Sequence, residues 1–254
     1  MRIAVTGGAG YIGSVVSEVL IGEGHEVLMV DDLSTGHLDA VSEQARIVPL
    51  DIGNRQEVTA ALLAFGTEAV IHMAASFLVG ESVAEPAKYY ATNVYFNAAG
   101  ATERNGERHD PETHLNPLVL HTAARRRRHV TVFGDDYPTD DGTCVRDYVH
   151  VEDIARAHVL ALATLEPATA SVYNLGCGGR GFSVREVINA ASAVTGRSIP
   201  VQIAARRPGD PAVLIASAEL ARRRLGWEPH HRALEAIVSS AGAWMVRHGW
   251  SEAA

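Results

Sequence analysis

Three glycines and an acid carry the first chemistry that the sequence offers. Gly7, Gly10 and Gly13 stand in Thr6-Gly7-Gly8-Ala9-Gly10-Tyr11-Ile12-Gly13, between the apolar run Arg2 to Val5 and the stretch SVVSEVLIGEG, whose apolar residues have helical spacing. A strand, a glycine turn and a helix in that order suit a dinucleotide pyrophosphate. Gly7 permits the tight turn, Gly10 lets the backbone approach the phosphates, and Gly13 lets helix and strand pack closely. The helix N-terminus adds free N–H groups and the positive end of its dipole. The spacing is G-x-x-G-x-x-G rather than G-x-G-x-x-G, so the surrounding elements must support the reading. The next apolar run, Glu26 to Val30, ends in Asp31-Asp32. An acid there is placed to bind the adenosine ribose hydroxyls, and Asp31 favours NAD over NADP because a 2′-phosphate would meet a carboxylate. Taken singly, the glycines could be a plain strand-to-helix connection and Asp31 a loop acid; together they predict one half of a Rossmann-like fold.

The elements that must position these residues follow in alternation. Ala45 to Ile52 reads as a third strand carrying Asp51, Gln56 to Phe65 as a helix, and Glu68 to Ala75 as a fourth strand. The small residues Ala74 and Ala75 would let the nicotinamide side of a cofactor come close. This α/β alternation predicts a doubly wound parallel sheet with helices on both faces. Gly80 to Val94 reads as helical after Pro86, and then the pattern breaks. Tyr95 to Ala101 runs into the polar stretch TERNGERHDPETH with no further strand-helix unit between. His114 to Ala124 reads as a helix ending in Arg125-Arg126-Arg127-Arg128, arginines that suit a solvated helix C-terminus better than a nucleic-acid patch. Further elements are expected at Val130 to Phe133 (strand), Val151 to Leu165 (helix capped by nearby acids) and Ser171 to Gly176 (strand). Ser183 with Glu186 forms a capping box for the next helix, Val201 to Asp210 is a strand and loop, and Ser217 to Trp250 is helical apart from a turn at Trp227 to His231. The expected division is a dinucleotide-binding half at 1–94 and, at 95–254, the rest of the sheet with a smaller substrate-binding part.

Composition narrows the classes. The 254 residues are 47% hydrophobic and 20% charged, enough to bury a full core. A net charge of −8 gives no support for nucleic-acid binding over the whole surface. No apolar run reaches membrane-spanning length, and Met1 leads directly into a strand, so a cytoplasmic protein without a signal peptide is expected. Cys144 and Cys177 are too few for a disulfide framework and lack zinc-ligand spacing, and no metal site is expected. Arginines are many, but Lys88 is the only lysine.

The stretches VTGGAGYIG, VDDLSTG, GESVAEPAKYYATNV, YFNAAGA, VFGDDYPTDDGTCVRDYVHVED, VYNLGCGGRGFSVREV and RRPGD resemble, in order, those of the UDP-glucose 4-epimerases, extended short-chain dehydrogenase/reductase proteins. The resemblance spans nearly the whole chain. It implies a tightly held NAD and a UDP-hexose partner, with hydride taken from the sugar C4 and returned to the other face after the keto sugar rotates. Residue by residue it puts Gly7, Gly10, Tyr11, Ile12 and Gly13 on the pyrophosphate. Asp31, Asp32, Leu33, Ser34 and Thr35 fall at the ribose, Asp51 and Ile52 at the adenine, Ala74 and Ala75 at the wall behind the nicotinamide, and Asn93 at a polar cofactor contact. Tyr95, Phe96, Asn97, His114, Leu115, Phe133, Arg146, Arg207 and Asp210 fall on the UDP-sugar. The two arginines suit a diphosphate better than the alternative of a surface salt bridge. Phe77 stands where some relatives carry a lysine, and His114 where many carry an asparagine.

One departure is severe. In the family a segment holding two strands and a Tyr-x-x-x-Lys catalytic pair separates the NV that ends at Val94 from the YFN that begins at Tyr95. Here the two are joined, a loss on the order of 70 residues, or about two strand-helix units. A lysine one helical turn from a tyrosine lowers the phenol pKa from about 10 toward neutrality, which is what makes it a usable base. The residue four before Lys88 is Ala84, and no Tyr-x-x-x-Lys occurs in this sequence. No catalytic residue is therefore assigned. The fold is expected to be the truncated form, with the family's homodimer surface largely lost and the fourth strand's edge open unless Val172 to Leu175 moves in to cover it. Three readings stay open: an epimerase by descent with little activity, a module that binds NAD or a UDP-sugar without turnover, and an unstable deletion product.

Overall fold

The computed structural model describes residues 1–74, 97–164 and 172–249. They belong to two compact units, Met1–Tyr95 and Phe96–Ala254. The predicted helix at Gly80 to Val94 lies outside the described residues, as do the assigned residues Ala75, Asn93, Tyr95 and Phe96, and Phe77 and Lys88.

In the first unit, β1 (Arg2–Thr6), β2 (Glu26–Asp31), β3 (Arg46–Pro49) and β4 (Ala69–His72) form one parallel sheet in the order β3-β2-β1-β4. β1 is central, and Ile3, Ala4 and Val5 are fully buried, as a parallel strand covered on both faces requires. Ala4, Leu28 and Val30 pack with Phe65, Val58 and Leu62 of α2 (Arg55–Phe65). Alternation leaves Ile3, Val5, Val27 and Met29 for the other face, where α1 (Tyr11–Gly22) lies along β1 and β2. α2 starts at Asn54, whose side chain accepts from the Glu57 N–H, and stops at Gly66 in the left-handed region (φ 70°). β3 ends earlier than expected. Asp51 falls in the turn before α2, where its Oδ1 accepts from the Gly53 N–H at 2.8 Å. Among the described residues, β4 pairs with β1 alone.

In the second unit, β5 (Ala98–Ala99) pairs in parallel with β8 (Val149–His150), and β6 (Val130–Phe133) with β10 (Val201–Ala204). β7 (Val145–Arg146) lies between β11 (Val213–Leu214) and β9 (Phe182–Ser183). The described strands here make three small sheets. The core joins α3 (Leu115–Ala123), α5 (Val184–Thr195) and α7 (Leu234–Arg247), with Val119, Leu120, Val187, Ala191, Ile237 and Trp244 packed over Val130 and Val132 of β6. α4 (Val151–Ala163) and α6 (Glu219–Leu225) complete the unit.

Two local readings change. α4 is capped by His150, whose Nδ1 accepts from the Glu152 N–H at 3.2 Å, while Glu152 and Asp153 occupy the first turn and complement the dipole. The described residues of the run Ser171 to Gly176 form no strand. Val172 is 81% exposed, and the chain beyond it is tied to the buried Asp147 carboxylate by the Cys177 N–H at 3.1 Å. Tertiary hydrogen bonds there override a β-branched and aromatic composition. Elsewhere, the capping box forms as read: Ser183 Oγ accepts from the Glu186 N–H, and Glu186 Oε2 from the Ser183 N–H. Arg125 to Arg128 follow α3 and are exposed.

Candidate functional site

The glycine turn of the first unit is built by close approach. Gly7 has φ +68°, and a Cβ there would stand 2.5 Å from the Ala74 nitrogen at the end of β4. A Cβ on Gly13 would stand 2.0 Å from the Gly7 carbonyl oxygen, so helix and turn meet only because that residue is glycine. At Gly10 a Cβ would meet nothing nearer than the Gly7 oxygen at 3.4 Å, so this side of the turn is open. Gly10 is also the N-cap of α1 and supplies no side-chain cap.

Asp31 ties this turn to the sheet. Its Oδ2 accepts from the Ala9 N–H and its Oδ1 from the Leu33 N–H, both at 2.9 Å. The buried carboxylate therefore fixes the glycine turn and the 31–35 turn together, and each oxygen keeps a lone pair for an incoming hydroxyl. Leu33 takes φ 61°, the left-handed conformation this bend imposes. Asp32 and Ser34 form their own exposed turn, and the Ser34 hydroxyl and N–H hold the Asp32 carboxyl below its ordinary range. Thr35 and Ile52 are exposed. An uncapped helix end, an open glycine cradle and a bound acid with spare lone pairs fit a dinucleotide.

In the second unit, four assigned residues fall into two pairs. The Arg146 guanidinium pairs with Asp210 and also donates to the Val145 carbonyl at 2.7 Å. The Arg207 guanidinium lies over the Phe133 ring, 4.0 Å from its centroid. Stacking holds the plane of the group and leaves its N–H edge free to meet an oxyanion. Asn97 precedes β5 with φ 40°, and His114 and Leu115 are the N-cap and first residue of α3.

The polar stretch before α3 holds groups that the sequence reading passed over. Glu107, His109, Glu112 and His114 converge, with one ligand atom from each lying within 4.8 Å of all the others. Burial pushes Glu107 up to about 8. Burial also opposes ionisation of Glu112, but hydrogen bonds from His109 and His114 hold it well below the usual carboxylate range. For His114, desolvation is outweighed by Glu112 and Glu107, and its pKa rises. The only signal in the sequence is the spacing Glu-x-His-x-x-Glu-x-His, which says nothing of burial. A second group has His150 stacked on His231, centroids 3.9 Å apart, with His231 Nε2 2.9 Å from Glu152 Oε2. Burial and the neighbouring His231 push His150 down to about 4.

Comparison with known proteins gives the context of these sites. The family model described as "NAD dependent epimerase/dehydratase family" matches residues 3–99 and 94–176. The UDP-glucose 4-epimerase of Corynebacterium glutamicum is 38% identical over 317 residues, taking in 96% of this chain and 95% of that protein. A crystal structure of a UDP-glucose 4-epimerase superposes with a TM-score of 0.92 at 35% identity, covering 100% of both chains. The Brucella ovis UDP-glucose 4-epimerase in complex with NAD gives 0.87 at 36% identity, covering 96% of this chain and 98% of that one. An alignment over 317 residues is longer than the 254 residues here, so the relative holds a segment that this chain lacks. The two family matches meet at 94–99, where Val94 joins Tyr95. With a glycine turn that fits a dinucleotide in its first unit and these matches along its length, the chain belongs to the NAD dependent epimerase/dehydratase family, beside relatives named UDP-glucose 4-epimerase.

Proposed function

We propose that this chain holds NAD on residues of its first unit and a UDP-hexose mainly on residues of its second, and that its epimerase activity is impaired. NAD would contact Gly7, Gly10, Tyr11, Ile12 and Gly13 through its pyrophosphate, Asp31 to Thr35 through its ribose, and Asp51 and Ile52 through its adenine. Ala74 and Ala75 would back its nicotinamide, the part of NAD that would take up and return hydride, and Asn93 would be a further polar contact to the cofactor. The nucleotide sugar would take Tyr95, Phe96, Asn97, Leu115 and Phe133 as walls, with His114 beside it. Arg207, stacked on Phe133, and Arg146, oriented by Asp210, would meet the diphosphate.

Impairment rests on one observation: no Tyr-x-x-x-Lys occurs in the sequence. Hydride can leave a sugar carbon only as the hydroxyl proton goes to a base, and a phenol near pKa 10 needs a cation to serve at neutral pH. Two of the described tyrosines, Tyr137 and Tyr148, offer no replacement of the right kind. Burial raises the pKa of both Tyr137 and Tyr148, away from a useful base.

The experiment is a turnover assay with UDP-galactose and added NAD, run beside thermal melts with NAD and with UDP. Both ligands are expected to raise the melting temperature, and turnover to stay at background. Turnover well above background would overturn the impairment. Melts that neither ligand moves would overturn the binding sites and favour an unstable deletion product.

A further inference from the structure

We propose that Glu107, His109, Glu112 and His114 form a binding site for one divalent transition-metal ion of the zinc type. Two imidazoles and two carboxylates are a donor set that zinc accepts. The separations fit one ion. His114 Nδ1 lies 3.0 Å from Glu107 Oε1 and 3.0 Å from Glu112 Oε1, and His109 Nδ1 lies 3.6 Å from Glu107 Oε1 and from Glu112 Oε2. A tetrahedron with metal–ligand bonds of about 2.0–2.1 Å has edges of about 3.4 Å, between these two values.

Burial points the same way. The side chains of Glu107 and Glu112 are each only 6% exposed, and Glu107 Oε2 has no hydrogen-bond partner. Two carboxylates set side by side away from water are costly, and a dication at their centre would satisfy both. The frame is already fixed. Glu112 Oε1 accepts from the Thr113 and His114 N–H groups, both at 2.8 Å, and His114 is the N-cap of α3. Such outer contacts orient ligands before an ion arrives. All four residues lie within a single short loop, so closing the site costs little chain entropy. The site shares only His114 with the residues assigned to the nucleotide sugar. It requires neither NAD nor a nucleotide sugar, so its failure would leave the proposed function standing.

The test is zinc(II) titration of the full chain after EDTA treatment, with metal content read after desalting. One zinc per chain is expected, with Kd below about 1 µM. Glu107→Gln and His114→Asn should each weaken binding by about 100-fold or more, while His231→Asn, in the other histidine cluster, leaves it unchanged. X-ray absorption of the zinc complex should show two imidazole nitrogens and two carboxylate oxygens. If circular dichroism finds Glu107→Gln unfolded, His114→Asn decides, since that side chain is one-third exposed. Failure to take up zinc, uptake that both variants leave intact, or uptake lost in His231→Asn would each overturn the site.

Discussion

The glycine turn of the first unit and the arginine pairs of the second are both read as ligand sites, yet they are made of different material. The turn is backbone. Its shape comes from Gly7 and Gly13, whose neighbours leave no room for a Cβ, and from Asp31, which holds two N–H groups. The second site is side chains steadied by their neighbours: Arg146 by Asp210 and the Val145 carbonyl, and Arg207 by Phe133. A backbone site is complete within one strand-turn-helix-strand stretch, so a missing segment farther along leaves its internal contacts in place. The side-chain site draws on residues from Phe133 to Asp210 and depends on the whole unit. Substitutions should therefore couple stability to ligand binding in the first site and separate them in the second.

Gly13→Ala should break the first site most severely. Its Cβ would lie 2.0 Å from the Gly7 oxygen, and we expect a loss of about 3 kcal/mol in urea unfolding together with loss of NAD affinity. Asp31→Ala comes next. It strands the Ala9 and Leu33 N–H groups and should cost about 2–3 kcal/mol, with NAD binding falling alongside.

Acid should act on the second unit through His150, whose folded pKa of about 4 lies below the ordinary value near 6.5. The neutral form is the one that fits, so its stabilisation is full above pH 6.5 and is lost as pH falls toward 4. A decline on the order of 2 kcal/mol is expected over that window, and a shallower one in His150→Asn. Thermal melts at a series of pH values measure both. Arg207→Ala should have the smallest effect on the fold. Its side chain is exposed, so stability should shift by less than about 0.5 kcal/mol while UDP binds about 10-fold more weakly by calorimetry. A large stability loss at Arg207 would contradict the separation drawn between the two sites.

Legibility in the sequence followed the same division. The run from Arg2 to Asp31 could be read because each step is local: apolar strand, glycine turn, helical spacing, acid. The Ser183–Glu186 box could be read for the same reason, with both partners within four residues. Ser171 to Gly176 misled because its composition suits a strand, while the chain beyond it is held by the distant Asp147. Phe133 and Arg207 are far apart in sequence, so their stacking left no pattern to find. Glu107 to His114 looked like solvated polar loop, since only tertiary packing decides that those carboxylates are buried.

The central claim is that the cofactor cradle remains while the proton-transfer pair is gone. The most direct measurement is the turnover of UDP-galactose by this chain beside a version in which the Corynebacterium glutamicum segment is inserted between Val94 and Tyr95. Background turnover in the chain as it stands, with turnover appearing on insertion, is the predicted result. Equal turnover by the two proteins would contradict it.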